Sequence, residues 1–125
     1  MLFRELLAVA IGGALGTLAR VGAIYATDHL VWGSLIATLA VNLLGAFGLA
    51  FVHWRGLDEF PAWVTPGVTI GFFGSYTTFS AISLITLTLP VLPALGYLLL
   101  TLLSGWGAVW LGLRWGLASN SARAS

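Results

Sequence analysis

The sequence predicts an all-α integral membrane protein with four transmembrane helices, the third of them broken near the bilayer midplane. Hydrophobic residues make up 59% of the 125 residues and charged residues only 7%, with a mean hydropathy of +1.01. A soluble domain carries about a quarter charged residues, so this composition indicates a membrane protein. Four apolar segments reach the roughly 20 residues that a spanning helix needs, and a polar run interrupts the third.

Composition also excludes several functions. The chain has no cysteine, which rules out disulfides and thiolate chemistry. Its net charge of +1 argues against a nucleic-acid partner. We recognise no nucleophile–base pair and no metal-ligating cluster, so we predict that it is not an enzyme. The apolar run near the N-terminus continues for about twenty residues without a cleavage motif, which argues against a signal peptide. Residues 1–125 are therefore expected to form a single four-helix membrane domain.

The first predicted span, residues 6–26, contains closely spaced glycines and one arginine. Gly12 and Gly16 have the small-xxx-small spacing that lets two helices approach closely. Arg20 lies near the far end of the span. Its position suits either a topology charge that reaches the interface or an electrostatic attractor at a pore mouth.

The second predicted span, residues 34–52, carries a polar stripe. Thr38, Asn42 and Gly45 recur at the spacing of one helix face. Polar groups at this depth are rare and often functional. Asn42 suits an interhelical hydrogen bond and a ligand group equally well, whereas threonine often bonds back to its own helix.

The third predicted span, residues 62–89, contains the run GFFGSYTTFSAIS at 71–83. This run has two glycines and is rich in hydroxyl groups, so we predict a helix break at 74–77, with Thr77 or Thr78 capping the second half. Each half is about ten residues, or roughly 15 Å long, which puts the break near the midplane. Half-helix ends direct unpaired carbonyls and amides at a bound ion, and the break therefore predicts a functional site.

After the break, Phe79, Ile82 and Ser83 have the spacing of one helix face. Both phenylalanine and isoleucine also suit ordinary helix packing. This face is therefore a candidate pore wall and equally a candidate packing surface.

The fourth predicted span, residues 92–113, has a polar stripe formed by Tyr97, Thr101 and Ser104. Uncharged hydroxyls suit weak binding of an anion and also suit contacts between helices. The tail, residues 118–125, is small and polar and is expected to fray.

Four crossings place both termini on the same side of the membrane. That side collects most of the basic residues, which favours a cytoplasmic location: Arg4, Arg55, Arg114 and Arg123.

Residues 71–80, GFFGSYTTFS, resemble the signature of the Fluc/CrcB fluoride channel family. Two further motifs agree with it: GGALG at 12–16 followed by Arg20, and Thr38-x-x-x-Asn42-Leu-Leu-Gly in the second span. The resemblance extends over all four spans and nearly the full length of the chain.

This resemblance implies a passive channel that exports fluoride across the cytoplasmic membrane. The family works as an antiparallel, dual-topology dimer with two pores along the subunit interface and a central structural sodium ion. By resemblance, the backbone carbonyls of Gly74 and Thr77 in both subunits hold this Na⁺. Carbonyl oxygens released by a helix break are suitable ligands for a hard cation.

The resemblance also assigns the fluoride pathway. Phe79 matches the first of two pore phenylalanines, whose ring edges are the positive part of the aromatic quadrupole. Ile82 stands where the family has the second phenylalanine, and it has no such edge. The full set is Phe79, Asn42, Thr38, Tyr97, Thr101, Ile82, Ser83 and Arg20.

Four functional hypotheses follow. The leading one is a homodimeric fluoride channel in a lipid bilayer. A second is one subunit of a heterodimer with a paralogue, in which one pore is degenerate. A third is a non-conducting partner subunit whose polar groups only join helices. The fourth, a proton-coupled small-multidrug-type transporter, needs a buried carboxylate in the first span, where Glu5 lies only at the very edge.

Overall fold

A computed structural model describes residues 2–125 and shows four helical spans. All four are long and apolar enough to cross a membrane, which confirms the predicted multi-pass membrane protein. The third span consists of two helices separated by a break. In chain order the helices are α1 (Leu2–Thr27), α2 (Gly33–Arg55), α3 (residues 64–76), α4 (Phe79–Thr88) and α5 (Val91–Ala124).

Glycines set the contact between α1 and α3. A Cβ atom on Gly12 would collide with the carbonyl oxygen of Gly67, and one on Gly16 with that of Phe72. The two backbones can approach this closely only because these positions lack side chains. The small-xxx-small motif is thus confirmed as a helix-packing feature.

The helices α2 and α5 form the second closely packed pair. A Cβ on Gly112 would collide with the carbonyl oxygen of Phe47, and one on Gly116 would lie 2.7 Å from that of Phe51. Between the two pairs, α2 contacts α3 and α4 beside the break. The helix α2 therefore contacts each of the other three spans.

The helix α5 is longer than expected, and the prediction of a frayed tail at 118–125 was wrong. It has 34 residues, or about 51 Å, against a hydrocarbon core of about 30 Å, so its last turns extend beyond the core. There Arg123 forms an ion pair with Glu59, which also pairs with Arg55 at 3.0 Å. These contacts tie the end of α5 to the α2–α3 loop.

The break lies at Thr77 and Thr78, later than the predicted 74–77. Both residues are extended, with φ/ψ of −76°/155° and −147°/120°. Gly74 is helical at −63°/−30°. The glycines misled the prediction because Gly71 serves packing: a Cβ there would lie 2.7 Å from the carbonyl oxygen of Val9.

The two half-helices have clear local causes. The middle of α3, Gly67–Phe73, is π-helical, and the Gly74 N–H reaches the carbonyl of Thr69, five residues back. Thr78 caps α4, as predicted, because its Oγ1 accepts a hydrogen bond from the Ala81 N–H at 3.3 Å. The two half-helices, α3 and α4, are about 20 and 15 Å long. Since the hydrocarbon core is about 30 Å thick, the break between them lies near mid-bilayer depth.

Candidate ion pathway at the helix break

Asn42 on α2 holds the break through two hydrogen bonds. Its Nδ2 donates to the Thr78 carbonyl at 3.0 Å, and its Oδ1 accepts from the Thr78 N–H at 2.7 Å. Both backbone groups of one extended residue are therefore satisfied by one side chain from another helix. Of the two roles that the sequence left open for Asn42, the structure shows the interhelical hydrogen bond.

This arrangement changes the bonding of Gly74. In a continuous helix the Thr78 N–H would donate to the Gly74 carbonyl, but here it donates to Asn42. Gly74 is also exposed on the surface of the chain. A Cβ placed on it would meet only the Thr69 carbonyl oxygen, at 3.9 Å, so packing within this chain does not require glycine at position 74.

Two further carbonyls near the end of α3 have partners. Arg20 on α1 donates from Nε to the Ser75 carbonyl at 3.1 Å. The Phe73 carbonyl accepts from both the N–H and the Oγ1 of Thr77, at 3.1 and 3.0 Å. Arg20 therefore places a positive charge beside the break.

A cavity of ≈ 560 Å³ lies beside the break, among α2, α3 and α5. Gly45 and Thr77 line one end, and His53 and Trp54 at the end of α2 line the other. Thr69 contributes to its wall. The cavity thus connects the depth of the break with the membrane interface.

The polar residues on α2 and α5 are mostly internal. Thr38 is only 2% exposed, and the Tyr97 hydroxyl donates to the Leu35 carbonyl on α2 at 3.0 Å. Thr101 bonds back to the Tyr97 carbonyl at 2.8 Å. In the single chain, the Tyr97 hydroxyl therefore connects two helices, and the Thr101 hydroxyl bonds within its own helix.

The residues after the break differ strongly in exposure. Phe79 is 79% exposed, whereas Ile82 is 8% exposed and belongs to the core with Ile85 and Tyr97. Ser83 is partly exposed, and its hydroxyl donates to the Phe79 carbonyl at 3.1 Å. The face that the spacing predicted therefore contains one outward aromatic ring and one buried aliphatic side chain.

The structure brings Asn42, Thr77, Thr78 and Arg20 together around the break, while Tyr97 and Thr101 lie further along the α2–α5 contact. Sequence reasoning missed the role of Ser75, whose carbonyl accepts from Arg20. The only available signal was an arginine inside an apolar span, which must find a partner at depth. It also missed the contact between Tyr97 and Leu35, because backbone acceptors leave no trace in a sequence.

Comparisons with known proteins agree on one family. A family model described as "CrcB-like protein, Camphor Resistance (CrcB)" matches residues 7–113. A "Fluoride-specific ion channel FluC" of Pseudomonas fluorescens (strain SBW25) is 38% identical over 119 residues, covering 90% of this chain and 96% of the relative. One from Azotobacter vinelandii is 39% identical over 120 residues, with coverages of 86% and 92%.

A third relative, "Fluoride-specific ion channel FluC 2" of Symbiobacterium thermophilum, is 42% identical over 116 residues, covering 85% of this chain and 92% of the relative. No solved structure matches the chain significantly.

Proposed function

The chain belongs to the CrcB-like family, and from this membership we propose that it is a passive, fluoride-selective channel that exports fluoride across the cell membrane. Its relatives are named as fluoride ion channels, so its function is transport and it is not an enzyme. The observation that carries the proposal is the break at Thr77 and Thr78, held open by Asn42 at mid-membrane depth.

The chemistry around the break suits a small anion. The N-terminus of α4 carries a partial positive charge of about half an elementary charge, and Arg20 lies nearby. The exposed ring of Phe79 at the first position of α4 can offer its positive edge. Uncharged donors bind an anion weakly enough for it to leave, as conduction requires.

In this proposal Phe79, Asn42, Thr38, Tyr97, Thr101, Ser83 and Arg20 line or support the fluoride pathway. Ile82 would line it only if assembly or repacking opens the core in which the side chain is buried. The cavity that ends at His53 and Trp54 is a candidate route from the interface to the break.

A structural Na⁺ would bind to backbone oxygens. Among residues 2–125, no group of three or more His, Cys, Asp or Glu side chains is placed to hold a metal ion. The Gly74 carbonyl loses its usual helical donor to Asn42, and Thr77 is extended and partly exposed. Carbonyl oxygens are ligands that hard cations accept, so these two residues from each of two subunits fit a shared site.

The same residues support an antiparallel dimer. Gly74 and Phe79 are exposed on the surface of the single chain, yet both lie at the depth of the break. A second copy in the opposite orientation would cover this surface and complete the Na⁺ site.

A heterodimer is the second candidate. Two observations favour it: the burial of Ile82, and the numbered name "FluC 2" of the Symbiobacterium relative, which suggests that some genomes encode two such chains. A partner with a phenylalanine at the position of Ile82 would then supply the missing ring.

A liposome efflux assay tests both forms. The purified chain alone is reconstituted into liposomes loaded with potassium fluoride, and release is followed with a fluoride electrode after addition of a potassium ionophore. We expect rapid fluoride efflux and no efflux from chloride-loaded vesicles. Equal fluoride and chloride release would contradict a fluoride channel. If the chain alone releases no fluoride and a co-expressed paralogue restores efflux, the functional channel is the heterodimer.

A further inference from the structure

A continuous groove runs along the outer side of α1 and α3, away from the break. It consists of three adjoining cavities, and Trp63 lines all of them. The outermost cavity is lined by Arg4, Glu5, Pro61, Ala62 and Trp63. The middle cavity shares Arg4 with the outermost cavity, and it shares Ala8 and Ile11 with the innermost cavity.

The groove has an apolar interior. Its inner part, of ≈ 280 Å³, extends from Ala8 past Leu15 to Phe72. Gly12 and Gly67 line it at a close contact between α1 and α3, where a Cβ on Gly12 would collide with the Gly67 carbonyl oxygen. The side chain of Ile11 forms part of the wall and is 53% exposed.

The mouth of the groove has a different chemistry. Arg4 and Glu5 lie beside Trp63, and tryptophan is typical of the membrane–water interface. Within residues 2–125, the ion pairs involve Arg55, Glu59 and Arg123, so Arg4 and Glu5 are not paired with each other or with another side chain. One cation and one anion are therefore available at the apolar groove's mouth.

The dimensions fit one lipid chain. From Arg4 to Leu15 the helix rises about 16 Å at 1.5 Å per residue. One leaflet contributes about half of a hydrocarbon core of about 30 Å. A groove of this length reaches from the interface to the middle of the bilayer.

We propose that this groove binds one phospholipid with a phosphoethanolamine head group. The lipid phosphate accepts hydrogen bonds from Arg4, the ammonium group donates to Glu5, and one acyl chain lies along Ile11 and Gly12 towards Phe72. A zwitterionic head group matches the two opposite charges at the mouth. Phosphatidylglycerol would leave Glu5 unmatched, and the trimethylammonium group of phosphatidylcholine has no N–H to donate.

Native mass spectrometry tests the proposal. The protein is equilibrated with an equimolar mixture of phosphatidylethanolamine, phosphatidylcholine and phosphatidylglycerol, and the lipids that remain bound are identified. We expect phosphatidylethanolamine to be retained several-fold over the other two. Arg4→Gln should lower retention of all three lipids, and Glu5→Gln should remove the preference for phosphatidylethanolamine over phosphatidylcholine.

A groove-filling variant has a matched control. Ile11→Trp adds bulk inside the groove, whereas Leu99→Trp adds the same group on α5 at a residue that is 59% exposed. We expect Ile11→Trp to lower lipid retention several-fold and Leu99→Trp to leave it unchanged.

Three results would overturn the proposal. These are equal retention in the Ile11 and Leu99 variants, retention that ignores the Arg4 and Glu5 substitutions, and loss of dimer in Ile11→Trp with unchanged lipid retention. The last result would show that a second chain, and not a lipid, covers the groove. Since the readout is bound lipid, the outcome does not depend on fluoride transport.

Discussion

A single side chain on α2, that of Asn42, stabilises the break in the third span. This side chain bonds both the N–H and the carbonyl of Thr78, so the extended backbone does not expose unpaired groups to hydrocarbon. Such groups cost several kcal/mol each in a membrane. A pathway role for Asn42 therefore includes positioning the break.

Replacing Asn42 with alanine should destabilise the protein and reduce fluoride efflux together. Both backbone groups of Thr78 would lose their partner, at a cost of several kcal/mol each in an apolar environment, so we expect a lower melting temperature in detergent. Thr86→Val is the control, because the Thr86 hydroxyl bonds only to the Ser83 carbonyl within α4. Loss of efflux at an unchanged melting temperature would contradict a positioning role for the Asn42–Thr78 hydrogen bonds and indicate direct contact between Asn42 and the ion.

Phe79 offers a cleaner test of ion contact because its ring is 79% exposed. We expect Phe79→Ile to abolish or strongly reduce efflux without lowering the melting temperature, since an aliphatic side chain has no positive edge. Leu87→Ile, on the same helix and also exposed, should conduct normally. Normal conduction by Phe79→Ile would remove this residue from the pathway.

The opposite substitution three residues later addresses the burial of Ile82. Ile82→Phe should lower stability by about 1–3 kcal/mol, because it adds bulk to a packed core that contains Ile85 and Tyr97. Thermal unfolding monitored by circular dichroism checks this. An unchanged melting temperature with faster efflux would show instead that Ile82 lines the pathway.

At the scale of the helices, hydropathy and spacing located all four spans. The predicted bounds of the second span, 34–52, lie within the observed Gly33–Arg55, because apolar composition is set by the bilayer. The break lies closer to Thr78 than we predicted. The prediction was misplaced because the same residue type, glycine, can break a helix or let two helices touch. The sequence alone does not say which neighbour each glycine meets.

The glycines of α1 test whether a glycine is needed where two helices touch. Gly16→Ala should push α1 away from α3, because the new methyl group collides with the Phe72 carbonyl. The shift would also disturb the hydrogen bond from Arg20 to the Ser75 carbonyl. We expect a lower melting temperature and reduced efflux.

Gly22→Ala is the matched control on the same helix, since a methyl group at this position would have no neighbour within 4 Å. Alanine is favoured over glycine in a helix by roughly 0.5–1 kcal/mol, so this variant should be neutral or slightly stabilised. Equal effects of both substitutions would show that the α1–α3 contact does not depend on glycine.

At the scale of the whole molecule, the side-chain contacts of one chain explain its fold but not all of its glycines. The sequence predicted membrane insertion and both termini at one end, and the ion pair between Arg123 and the α2–α3 loop agrees with the latter. Contacts with a second chain do not produce a recognisable spacing of residues in the sequence of the first chain. They can be inferred only from surface features that the single chain does not use.

Gly74 is such a feature. It is exposed and helical, and the space around it would admit a side chain. If a second copy packs against this position, Gly74→Leu should separate the dimer while each chain stays helical. Gly96→Leu on α5, where a Cβ would meet nothing within 4 Å, should leave the dimer intact. Light scattering after size-exclusion chromatography gives the mass, and circular dichroism gives the helix content. A Gly74→Leu protein with the mass of the wild-type dimer would place the interface elsewhere and would remove the shared carbonyl site with it.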